Sequence, residues 1–137
     1  MQLVINAADE LPIYRQIMRQ ITEAIAGGRL KPGDRLPSHR DLSEQLVIAP
    51  LTVKKAYDEL EALRYIETQR GRGTFVSAKL PEPDLAGRTG QLQQSARRLL
   101  AQAYLAGLSL KDTVELLTEA DRELTQGPPA VQQKESA

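Results

Sequence analysis

The sequence predicts a mainly α protein with one small β-hairpin. Three observations carry that expectation. Apolar residues recur at three- and four-residue spacing in five separate stretches. One short β-branched and aromatic run follows a pair of closely spaced glycines, and proline- or glycine-rich breaks separate the periodic segments. With 137 residues and 41% hydrophobic content, the chain has enough apolar surface for one modest core and an appendage.

The first periodic segment is LPIYRQIMRQITEAIAGG, where Ile13, Ile17, Ile21 and Ile25 fall four residues apart with Met18 and Ala24 beside them. This is an amphipathic helix; Pro12 suits its start and Gly27-Gly28 its end. LKPGDRLPS reads as a turn-rich connector bent at Pro32-Gly33. Ser38 opens a second, short helix, because its hydroxyl can accept an orphan backbone N–H and Asp41 places negative charge in the first turn. Leu42 and Leu46 give it a buried stripe. After VIAP a third helix starts near Pro50, with Val53, Ala56, Tyr57, Leu60 and Leu63 on one face.

A short and a longer helix joined by about four residues make a helix-turn-helix. YIETQ and TFVSA then read as two strands around the tip RGRG, whose glycines supply positive backbone φ. Three helices followed by a hairpin predict a winged helix-turn-helix over residues 1–79.

The remainder is organised differently. LPEPDLAGRTG, with two prolines and two glycines, reads as a linker over residues 80–90. In residues 91–126, Leu92, Ala96, Leu99, Leu100 and Ala103 share one helical face. Past Gly107, Ser109 caps a further helix with the stripe Leu110, Val114, Leu117, Ala120 and Leu124. Two helices cannot enclose a core, so these ten residues predict a two-helix dimerisation segment packing on a second copy. Residues 127–137, from Gly127-Pro128-Pro129 on, are expected to form a flexible tail.

Several function classes lose support. With no cysteine and one histidine, neither a disulfide framework nor a metal centre is expected. The N-terminus lacks a basic segment followed by an apolar run, and no stretch is apolar enough for a membrane span, so a cytoplasmic protein is the expectation. GRGTFV and His39-Arg40-Asp41-Leu42 imitate kinase motifs, but the third loop glycine, the metal-binding asparagine and a DFG are missing and the order is reversed. No convergent acid, base, nucleophile or cofactor set points to an enzyme. The formal net charge is zero, divided as +2 over residues 1–80 and −2 over residues 81–137. Phosphate binding therefore depends on how the basic side chains gather locally.

The block LKPGDRLPSHRDLSEQL, then TVKKAYDELEALRYIETQRGRGTFV, resembles the N-terminal DNA-binding domain of the GntR family of bacterial transcription regulators over roughly residues 11–77. The combination PGxxLPSxRxL, TVxxAYxxLE and GxGTFV carries the likeness. The short remainder is similar to the YtrA-like subfamily, whose C-terminal part is a helix pair used for dimerisation. The resemblance implies a homodimeric repressor on a pseudo-palindromic operator, with control of a transporter operon implied by the subfamily alone. It names no small-molecule effector.

Contacts follow from the likeness position by position. Arg70 and Arg72 at the wing tip, with Gly71 and Gly73 admitting close backbone approach, would meet the minor groove and adjacent phosphates. Arg40 holds the PSxR position, implying a phosphate or base contact; the bland alternative is an ion pair with Asp41 or Glu44. Arg35 would meet the DNA backbone where the second helix starts, and Ser38 would cap first and bind phosphate second. The subfamily commonly reads NPNTV where this chain has Ala49-Pro50-Leu51-Thr52-Val53, so both asparagines are gone. Leu51 then offers an apolar contact to a thymine methyl, while Thr52 and Lys54 keep the polar positions. His39, Lys55 and Tyr57 are weaker; Tyr57 is expected in the core with its hydroxyl at the edge. The competing class is a winged-helix protein-interaction module without specific DNA readout.

Overall fold

The computed structural model describes residues 1–127, which divide into two compact units at Pro81 and Glu82. The first holds α1 (Ile13–Ala26), β1 (Arg35–Leu36), α2 (His39–Leu46), α3 (Pro50–Ala62), β2 (Ile66–Gln69) and β3 (Gly73–Val76). The second holds α4 (Leu85–Leu105) and α5 (Leu110–Gln126). This is the predicted class, a winged helix-turn-helix followed by a helical segment.

In the first unit the periodic stripes meet. Ile17 and Ile21 of α1, Leu42 of α2, and Val53, Ala56, Tyr57 and Leu60 of α3 close over Leu36, Ile66 and Val76 from the sheet. Burying a side chain of this size contributes about 1.5–3 kcal/mol. Gly28, at φ +80°, takes the left-handed turn after α1, and the Arg29 and Leu30 amides donate back to the Ala24 carbonyl. Ser38 caps α2 by accepting from the Asp41 amide at 3.0 Å.

Two features were absent from the sequence reading. Gln16 is buried: its amide accepts from the Asn6 N–H and donates to the carbonyls of Asn6 and Leu11, while Gln20 bonds the Val4 N–H and carbonyl. These two side chains fasten the N-terminal arm to α1, whose interior-facing glutamine breaks the apolar stripe. The connector before α2 also contains β1, which pairs with β3, so the hairpin becomes a three-stranded antiparallel sheet of order β1-β3-β2. A two-residue strand has no periodicity to read, and its partner lies about forty residues on, at Phe75 opposite Arg35.

The second unit departs from the expected linker. Residues 85–90 are helical, not extended, because Asp84 caps α4 by accepting from the Gly87 amide at 2.9 Å. A side chain at Gly87 would collide with that carboxylate, so the glycine that suggested a break serves the cap. Ser109 and Asp112 form a reciprocal capping box at α5, and these bonds lower the Asp112 pKa, Ser109's backbone amide contributing most. Ala103 and Thr113 are buried within the unit, so Ala103 is already covered and does not belong to an open face. Leu92, Leu110, Val114 and Leu117 stay about half exposed, and Leu105 is 90% exposed. The expected flexible tail lies, beyond Gly127, outside the described residues.

Candidate nucleic-acid interface

Helix α3 is the second helix of the helix-turn-helix, and side-chain hydrogen bonds anchor it to the chain before α2 and to β2. The Tyr57 hydroxyl donates to the Pro37 carbonyl at 2.7 Å, joining α3 to the chain just before α2. Burial, aided by the charge of Asp41, pushes the phenol well above its usual pKa, so it stays a neutral donor. Glu61, near the end of α3, accepts from the Thr68 amide and hydroxyl and so ties the helix to β2.

The start of α3 follows from its sequence. Ala49 sits at the cap with no side-chain bond, and Pro50 lacks an N–H to satisfy. Thr52 and Val53 donate to the Ala49 carbonyl, leaving the Leu51 amide as the donor that a capping side chain would serve. Leu51 is 78% exposed and Thr52 half-buried. Ahead of the helix, Val47 ends α2 in the left-handed conformation at φ 55°, a setting that a β-branched residue rarely adopts, while exposing 88% of its surface.

The basic side chains fall into two groups. Lys54 is bound to Asp58 at 2.8 Å, one helical turn on, and the Lys55 ammonium lies 4.4 Å from the centre of the Tyr14 ring. Lys54 is thus partly neutralised in the free protein, although an exposed pair of this kind is readily exchanged. Arg40, in the first turn of α2, makes no ion pair with Asp41 or Glu44, whereas Arg122 pairs with Glu119 on α5. Arg70 and Arg72 are likewise exposed and unpaired.

The wing tip is a tight turn in which the Arg72 amide donates to the Gln69 carbonyl at 2.9 Å. Gly71, at φ +77°, takes the turn position that requires a left-handed residue, and Gly73 follows at φ +127°. Both arginines therefore project from a backbone that side chains at 71 or 73 would strain. Arg35, just ahead of the Ser38 cap, is also part of the sheet. It lies on β1 opposite Phe75, next to Gly73, and so belongs to the wing sheet, whereas Ser38 and Arg40 hold the start of α2.

Among the described residues, no group of three or more histidine, cysteine, aspartate or glutamate side chains could hold a metal ion, and no helix is long and apolar enough to cross a membrane.

Residues 13–76 match the family described as bacterial regulatory proteins, gntR family. The HTH-type transcriptional repressor YtrA of Bacillus subtilis is 37% identical over 123 residues, covering 90% of this chain and 95% of that protein. A transcriptional antiterminator from Listeria monocytogenes superposes with a TM-score of 0.74 at 26% identity, covering 97% of this chain and 98% of that one. The DNA-binding domain of AraR in complex with operator ORX1 gives a TM-score of 0.50 at 25% identity, covering 56% of this chain and 96% of that domain.

Proposed function

Because the chain belongs to the GntR family of bacterial regulatory proteins and is YtrA-like along nearly its whole length, we propose that it is a cytoplasmic transcription repressor that binds a pseudo-palindromic operator as a homodimer. The observation that carries this reading is the set of exposed arginines without carboxylate partners, Arg40 on α2 and Arg70 and Arg72 on the β2–β3 turn, next to a helix α3 anchored by Tyr57. Free guanidinium groups on short, rigid elements suit phosphate and minor-groove contact. The AraR domain, which has the same fold, was solved with its operator. The family is one of regulators rather than enzymes.

In this reading Arg40, Arg70 and Arg72, with Arg35, supply most of the backbone contacts. Ser38 and the glycines Gly71 and Gly73 shape the approach. Leu51, Thr52 and Lys54 face the major groove, Lys54 exchanging Asp58 for a phosphate or base edge. The exposed apolar residues of α4 and α5 form the homodimer contact that spaces two half-sites by a helical turn. Control of transporter genes rests on the subfamily likeness alone.

Affinity measured across a salt series tests the interface. Arg40→Ala and Arg72→Ala should each lower the slope of log affinity against log salt by about 0.9, the share of one phosphate. A parental protein that binds DNA and two variants that bind it identically would remove both arginines from the interface. Leu51→Asn should change the preferred base at one position of each half-site, as read from a binding selection. Binding that is insensitive to salt would favour the protein-interaction module instead.

A further inference from the structure

On the outward face of the wing sheet, Arg35, Phe75 and Glu67 form one row across all three strands, since Phe75 is the register partner of Arg35 on β1 and of Glu67 on β2. Their neighbours Leu36, Ile66 and Val76 point the other way, into the core. A cation and a carboxylate thus stand two strands apart, about 10 Å between backbones, within the combined reach of their side chains. They do not pair. The ring of Phe75 lies between them, with the Arg35 guanidinium carbon 6.0 Å from its centroid, and Glu67 instead accepts from the Gln69 side-chain Nε2 at 3.3 Å. Gly73 completes the seat: a Cβ there would stand 3.2 Å from Nη2 and 3.3 Å from Nε of Arg35, so glycine leaves room for the guanidinium beside the wing tip.

We propose that Phe75 is a positioning residue, which holds the Arg35 guanidinium on its ring and bars it from Glu67, keeping that charge free for a DNA phosphate. The inference rests on the reading of Arg35 as a DNA contact made above. Aromatic faces attract cations without neutralising them, whereas a carboxylate would both bind the guanidinium and cancel its charge towards DNA. Phe75 is well suited to such a task because it lies outside the buried core cluster. Its side chain is only half-buried, so replacing it leaves the core intact.

The experiment uses the full chain and the duplex that the parental protein itself enriches from a random pool. Phe75→Ala should weaken binding about tenfold, the loss of one hydrogen-bonded charged contact, and lower the salt slope by about 0.9. The same substitution should have no further effect in an Arg35→Ala background. Glu67→Gln should restore most of the lost affinity in Phe75→Ala and have a much smaller effect in the parent, a coupling that a purely structural role would not produce. Phe75→Leu, which keeps the apolar bulk, should retain more affinity than Phe75→Ala at an unchanged melting temperature. A loss of the same size with and without Arg35, or a Glu67→Gln effect equal in both backgrounds, overturns the proposal while leaving the DNA reading intact. Failure of the parental protein to enrich any duplex overturns the DNA reading and the proposal together.

Discussion

Helices α3 and α5 carry apolar stripes of similar make-up and opposite fates. Val53, Ala56, Tyr57 and Leu60 of α3 are buried, whereas Leu110, Val114 and Leu117 of α5 remain about half exposed, and among the described residues of the second unit only Ala103 and Thr113 are buried. Both stripes announce a partner. For α3 the partner lies within the same unit, where α1, α2 and the sheet converge on it. Two helices lying side by side have one mutual contact line, so the rest of each stripe needs another surface, which in the proposed homodimer is a second copy.

The largest effect that would break this comparison is loss of assembly. Leu117→Asp should leave the first unit folded and convert a dimer to a monomer at micromolar concentration. Operator affinity should then fall by about two orders of magnitude or more, as two linked half-site contacts become independent. Sedimentation of the variant as an intact dimer would place the contact elsewhere.

A matched pair sharpens the contrast. Leu60→Ala should cost about 2–5 kcal/mol in urea unfolding, because a fully buried side chain leaves a cavity. Leu117→Ala should instead act through association, with a melting temperature that depends on protein concentration. Equal, concentration-independent losses at the two sites would mean that α5 is buried within a single chain.

The smallest expected effects concern the turn between α2 and α3, where local sequence and local structure disagree. Ala49→Asn should stabilise the protein by about 1 kcal/mol by accepting from the Leu51 amide. Val47→Gly should add about 0.5–1 kcal/mol by relieving a β-branched residue at φ 55°, with little buried surface given up. Thermal melts without DNA check both, and a destabilised Ala49→Asn would show that the start of α3 needs its present geometry.

Much of the architecture was legible because helix signals are local. The Ile17 and Ile21 spacing, the Ser38 and Ser109 caps, the uncapped start at Ala49 and the left-handed glycine at the wing tip each depend on residues within a turn of one another. The start of α4 was misread for a related reason: Gly87 and Gly90 look like a break until the Asp84 carboxylate is seen to need the space at Gly87.

The sequence by itself determined the order and type of the main elements, the absence of cysteine, and the motifs that mark the family, since each is written in composition or in spacing over a few residues. Tertiary structure alone decided the third strand, the burial of Gln16 beneath the N-terminal arm, and the row that Arg35 shares with Phe75 and Glu67. The sheet row and the fastening of the arm join residues far apart in the chain. The free energy that selects such contacts comes from packing and pairing across elements, which local periodicity does not encode.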